Sequence, residues 1–282
     1  MCEKRPLLLA LLVDNTLFPI TITTFEYYSN VVQEALNTRI NMAPAPKYDQ
    51  QTQQQMILQA AEQCINESSV TDFTMAKIAR VAGLSMGSVY KFVQSKEDIV
   101  LALAYQSFVH VSKIFDLVLA LPISTPEKIL AISLISPQKL QCFEFDYELQ
   151  TYATNEAVIR KGSSYWTSKI IEASSRCESA FKLALTDGIN SGELKDVPNL
   201  AQVIDEIIIS GWAMTVGYEQ VQRVQQTKQI VEGTDSLQQP LELDHPIIRS
   251  SIRLLNSYPW QKPLTSDSLI QIEQQLIALN LR

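Results

Sequence analysis

The sequence predicts an all-α protein: a small N-terminal helix-turn-helix unit followed by a larger helical domain. Three observations predict it. Apolar residues recur at three- and four-residue spacing over most of the chain, without the alternation of strands. Glycine is scarce, 8 in 282 residues, while 46% of the chain is hydrophobic, ample for a helical core. And the stretch 73–99, FTMAKIARVAGLSMGSVYKFVQSKEDI, reads as a helix, a tight turn, a short second helix and the start of a third.

In chain order, residues 1–45 form an N-terminal extension with no place in this plan. Lys4-Arg5 and the apolar run 7–13 imitate a short signal peptide, but Asp14 ends the run and no small-residue cleavage site follows. The extension is expected to be a flexible appendage, or a leader before a natural start at Met42; a helix around 25–36 is the alternative. The helix-turn-helix domain is placed at 46–98. Its first helix, 56–65, sets Ile57, Leu58, Ala61 and Ile65 on one side. Thr74 caps the second, whose apolar face is Ile78, Ala79 and Ala82. Gly83 stands where a helix end needs a left-handed residue, and Leu84 plugs the turn. Ser85 caps the third helix, with Val89 and Val93 buried. Ser95-Lys96-Glu97-Asp98 has the serine-to-acid spacing of a capping box and launches a long helix to Leu121. Residues 99–282 then form one helical domain, with helices over 126–133, 139–151, 165–189, 200–226, 246–258 and 267–279.

Ile78-Ala79, Ala82-Gly83-Leu84-Ser85, Gly87-Ser88-Val89-Tyr90 and Ser95-Lys96-Glu97 resemble, in order and spacing, the DNA-binding domain of TetR-family transcriptional regulators. The resemblance spans about 56–100. It implies that Ser85, Met86, Gly87 and Ser88 face base edges and that Lys91 lies on the same recognition helix. It also implies that Tyr90 reaches a phosphate, that Lys96 holds the DNA backbone, and that Thr74 and Lys77 approach phosphates. Phe92 departs from the usual histidine or tyrosine, and Val93 from phenylalanine. Ala76 and Gly87 bring no side-chain hydrogen bonds, so base readout leans on shape and on contact with thymine methyls. Asp187-Gly188 to Gly192-Glu193-Leu194 is similar to a turn common at this point of the family.

The resemblance further implies a homodimer, a double-stranded DNA operator and a small-molecule effector. The helix over 200–226 carries a wide apolar stripe, and the helix from 246 offers a second apolar face. The dimer interface is therefore expected at Ile204, Ile207, Ile208, Gly211, Ile248, Ile252 and Leu255. Effector candidates are His110, Phe143, Tyr147, Trp166 and Trp212. No catalytic set, metal cluster or cofactor fingerprint is present in the sequence, and no cofactor is expected.

Composition tempers this reading. The net charge is -7. Around the motif, Lys47, Lys77, Arg80, Lys91 and Lys96 are opposed by Asp49, Glu62, Glu67, Asp72, Glu97 and Asp98. Phosphate binding draws on local cations, and four of these lie between Lys77 and Lys96. The four cysteines have no metal spacing and suit a reducing, cytoplasmic setting. No apolar run is expected to span a membrane. The reading is thus a one-component DNA-binding regulator, most simply a repressor. A helical adaptor without DNA binding and a helical enzyme are the alternatives.

Overall fold

The computed structural model describes residues 10–13, 16–19, 30, 48–195, 197–232 and 240–282. The chain divides into two compact units, Met1–Thr52 and Gln53–Arg282. In the first, β1 (Ala10–Val13) and β2 (Thr16–Pro19) form an antiparallel hairpin with Leu11 opposite Phe18 and Leu12 opposite Leu17. Residues 10–13 of the run read as signal-like are therefore one strand of this pair. The alternative helix at 25–36 lies outside the described residues, apart from Asn30. We expect deletion of residues 1–46 to change the stability of the second unit by less than about 1 kcal/mol. A truncated protein without a cooperative thermal transition would show that the segment belongs to the core.

The second unit is all-α. Helices α1 (Gln50–Asn66), α2 (Met75–Ala82) and α3 (Met86–Phe92) precede the long α4 (Lys96–Leu119). Then follow α5 (Thr125–Ser133), α6 (Pro137–Leu140), α7 (Asp146–Ala153) and α8 (Glu156–Lys161). The chain continues with α9 (Ser164–Asn190), α10 (Leu200–Glu232), α11 (Pro246–Asn256) and α12 (Ser266–Ala278).

The helix expected at 139–151 is two short ones. Buried Asp146 accepts the backbone N–H groups of Cys142 and Phe143 and the hydroxyl of Ser107, so the chain turns there instead of winding on. The helix expected to end at 226 runs on to Glu232. Cys64, Cys142 and Cys177 are all free thiols. Burial and the neighbouring Asp146 carboxylate push the Cys142 thiol up to about 11.

Two apolar clusters fill this unit. One joins Ile57, Phe73, Ile78 and Val89 of the leading helices to Ile99–Ala104 of α4, Leu149 of α7, and Trp166 and Ile170 of α9. The other joins the far half of α4 to α5, the end of α9, the start of α10, α11 and α12. Helices α4 and α9 pack along each other and run through both clusters. The core under the first three helices thus continues past residue 98 into the following elements.

Candidate nucleic-acid interface

Each part of the motif folds for a local reason. Thr74 Oγ1 accepts the Lys77 N–H at 3.2 Å, which starts α2. Gly83 ends it with φ +64°, a conformation that a β-carbon disfavours, and the Leu84 N–H returns to the Ala79 carbonyl at 3.0 Å. Ser85 Oγ accepts the Ser88 N–H at 3.1 Å to start α3. Ile78, Ala82, Val89 and Val93 face inward and lock α3 across α2.

What remains outside is the predicted reading surface. Thr74, Ser85, Met86, Gly87, Tyr90 and Lys91 are exposed, and Lys77, Ser88 and Lys96 are half-buried. Tyr90 projects with 48% of its surface free, more than a tyrosine packed between helices would show. Arg80, exposed in the last turn of α2, is a further cation at this surface that the motif did not single out.

Two predicted phosphate contacts are already engaged. Lys77 Nζ lies 2.7 Å from Glu67 Oε2, and Gln63 donates to the other Glu67 oxygen at 2.8 Å. The Lys77 hydrogen bond, with that from Gln63, holds the Glu67 carboxyl below its usual range. Lys96 donates to the Thr71 carbonyl and sits over the Phe73 ring, 4.5 Å from its centroid. In this conformation Lys96 fastens the loop ahead of α2, a role its spacing in the motif does not reveal. A phosphate must compete with Glu67 for Lys77. We expect Glu67→Gln to tighten non-specific duplex binding about two- to fivefold at low salt, an exposed ion pair being weak, and to steepen the salt dependence. Unchanged affinity would show that Lys77 takes no part.

Four of the five effector candidates make contacts within the subunit, and the fifth is exposed. His110 Nε2 lies 2.8 Å from the Lys139 carbonyl, a tie between α4 and α6. Phe143 stacks on Phe145 in the first cluster, centroids 5.2 Å apart. Tyr147 donates to Gln220 and lies 4.1 Å beneath the Arg223 guanidinium, joining α7 to α10. Trp166 is buried against Phe92, and Trp212 is 61% exposed. A solvent-open groove of 240 Å³ among the described residues is lined by Gln55, Leu58, Gln59, Glu62 and Gln106, and by none of the five. Spacing along a helix shows which side chains share a face; it does not show whether that face meets a cavity or a neighbour.

Six of the seven dimer candidates pack against the chain's own core. Ile204, Ile207, Ile248 and Leu255 are buried within the chain's own second cluster, and Ile208 and Ile252 pack partly against it. The reason is that α11 lies against α10 and α5 of the same chain. Gly211 is half-buried and has nothing within 4 Å of the position of an added β-carbon. The unburied apolar side chains of α10 are instead Ile209, Trp212 and Val216, with Val221, Val224 and Val231 beyond. By length and composition Leu200–Gln229 passes as a membrane span, contrary to the sequence reading. Asp205, Glu206, Glu219, Arg223 and Lys228 interrupt it, as suits a helix that faces protein and water.

A capped helix, a left-handed turn and an exposed second helix locked across the first define a helix-turn-helix DNA-binding module. Residues 57–103 match the model of the family described as bacterial regulatory proteins, tetR family. The helix-turn-helix module of this chain, over residues 57–103, is thus similar to the DNA-binding domain of tetR-family regulatory proteins. No curated protein sequence matches the chain. Among solved structures, it is similar to the transcriptional regulator FadR from Bacillus subtilis, in complex with stearoyl-CoA, at 20% identity. That likeness covers 71% of this chain and 95% of the other, with a TM-score of 0.42. It is similar to E. coli NemR in reduced form at 13% identity, over 76% and 100%, with a TM-score of 0.44. It is also similar to the Stenotrophomonas maltophilia repressor SmeT at 16% identity, over 75% and 93%, with a TM-score of 0.44.

Proposed function

We propose that the protein is a homodimeric, cytoplasmic one-component repressor whose two copies of α3 read the half-sites of a palindromic operator. The observation that carries this reading is the rim of exposed Ser85, Met86 and Gly87 and half-buried Ser88, with exposed Tyr90 beside it, held on a fully packed base. Ser85, Met86, Gly87 and Ser88 meet base edges in the major groove. Tyr90 donates to a phosphate, and Thr74, Lys77, Lys91 and Lys96 lie where the flanking backbone passes. The outer face of α10, with Ile209, Trp212 and Val216, meets its counterpart on a second copy. A small molecule that shifts the helical body changes the spacing of the two recognition helices and lifts both half-sites together.

Selection of duplexes from a random pool tests this. The wild-type protein should recover an inverted repeat, with affinity falling steeply as salt rises. Tyr90→Phe should weaken all recovered duplexes alike, about tenfold, as loss of one hydrogen bond to a charged group does. Ser88→Ala should instead change the preferred bases at one position of each half-site. Recovery of no enriched sequence would reject the reading and favour an adaptor, for which the net charge of -7 speaks.

A further inference from the structure

Asp98 is fully buried, and among the described residues no cation lies within ion-pair distance of its carboxylate. It stands in the first turn of α4, where the Ser95 hydroxyl accepts its backbone N–H at 3.1 Å. Its side chain does not fold back on the Ser95 N–H, as a capping box requires. Oδ2 accepts the Gln94 N–H at 2.8 Å, two residues beyond the end of α3. Oδ1 accepts the Ser163 N–H at 2.7 Å, at the N-cap of α9 and 65 residues away. One carboxylate thus bridges the exit of the recognition helix and the start of a body helix. A buried charge without a counter-charge is costly unless donors converge on it. Here two backbone N–H groups and the amino ends of α4 and α9 supply that environment.

A second bond lies beside the first. The Trp166 indole N–H donates to the carbonyl of Phe92, the last residue of α3, at 3.4 Å, and its ring meets Phe92 edge-on at 5.3 Å. Just ahead of α9, residue 162 is glycine and lies close against α4: a β-carbon there would stand 2.3 Å from Leu101 Cδ1. Phe92 is the residue that departs from the family pattern, and its ring is turned into this contact.

We propose that Asp98 is a positioning residue for DNA recognition: together with Trp166 it latches the recognition helix to α9, so that α9 as well as α4 fixes the setting of α3. This rests on the DNA-binding reading above and adds to it the route by which the body holds the reading head. Because α9 also packs along α10, the latch joins the recognition helix to the helix that carries the proposed dimer face. A rigid latch makes the protein selective for the separation of half-sites; a loosened one lets each head adjust by itself.

Asp98→Asn tests the latch, because an amide keeps the shape but turns an N–H₂ toward one of the two backbone donors. Trp166→Phe is the second variant, which keeps an aromatic ring but removes the indole N–H together with part of the ring contact. Amide hydrogen exchange is read first. In Asp98→Asn, residues 88–94 and Ser163 should exchange at least tenfold faster, while α5, α11 and α12 stay as in wild type. The second reading uses the duplex best recovered by the wild-type protein, with the space between half-sites lengthened or shortened by two base pairs. Wild type should discriminate strongly among the three; both variants should bind the original duplex more weakly and discriminate at least fivefold less. A general loss of stability would weaken all three duplexes alike and would move the exchange of α5, α11 and α12. Unchanged exchange at 88–94 in Asp98→Asn overturns the latch, whatever the DNA result. Faster exchange with wild-type discrimination leaves Asp98 a structural residue and overturns its role in recognition. A wild-type protein that recovers no duplex defeats the DNA reading itself, and with it that role.

Discussion

Ile209→Glu is expected to give a folded monomer that no longer protects a duplex carrying two half-sites. Ile209, Trp212 and Val216 are 64%, 61% and 52% exposed on the same side of a 33-residue helix. Each such side chain buried against a partner contributes about 1.5–3 kcal/mol, so a patch of three or more supports a stable interface. A carboxylate placed in that patch costs several kcal/mol when the partner covers it, and next to nothing when water does. The folded subunit should therefore be unharmed. Ile207→Glu, two positions earlier and only 2% exposed, makes the contrast: it buries the charge inside the subunit and should unfold it. Sedimentation equilibrium at micromolar concentration, alongside circular dichroism, separates the cases. A wild-type monomer, or an Ile209→Glu protein that remains a dimer, would defeat the interface. DNA binding should fail in Ile209→Glu although α2 and α3 are untouched, since one half-site supplies too few contacts.

The second large effect is expected from Gly188→Ala. Gly188 lies in the last turns of α9, and an added β-carbon would stand 1.9 Å from Thr125 Oγ1 and 2.8 Å from Thr125 Cβ. Thr125, at the start of α5, is itself buried, and its N–H donates to Glu193 Oε2 at 2.6 Å. Neither side can retreat without breaking that bond. Overpacking of this kind costs about 3 kcal/mol, which in a chain of this size lowers the thermal midpoint by roughly 6–12 °C. Thr125→Ala removes the nearest atom, so the double variant should lose less than the sum of the two single changes. A midpoint that does not move would mean that α5 and α9 are not seated against each other as described.

This site also shows how far the sequence reaches. The motif places the glycines at 188 and 192 together in a turn. Gly192, with φ +83°, does end the helix. Gly188 is helical, and its lack of a side chain serves the approach of α5. Glu193 and Leu194, the rest of that motif, tie in Thr125 and form a bridge to Trp260. The motif marked an important place; the partners that make it important come from elsewhere in the chain.

By itself the sequence determined the second and third helices of the helix-turn-helix almost to the residue, though it began the first helix six residues late, because the rules of caps and turns are local. A cap lies three residues from the amide it accepts, a left-handed glycine ends its own helix, and apolar residues three and four apart share a face. The limits of α9, α11 and α12 followed within a residue or two for the same reason. Tertiary structure alone decided what each face meets. It placed Ile204, Ile207, Ile248 and Leu255 inside one subunit and left Ile209, Trp212 and Val216 outside. It set Trp166 against Phe92 and His110 against a carbonyl, and turned the Asp98 carboxylate from a local cap into a bridge across 65 residues. Helical periodicity fixes the side of a helix on which a residue lies. Only the packing of distant segments fixes whether that side is core, interface or site.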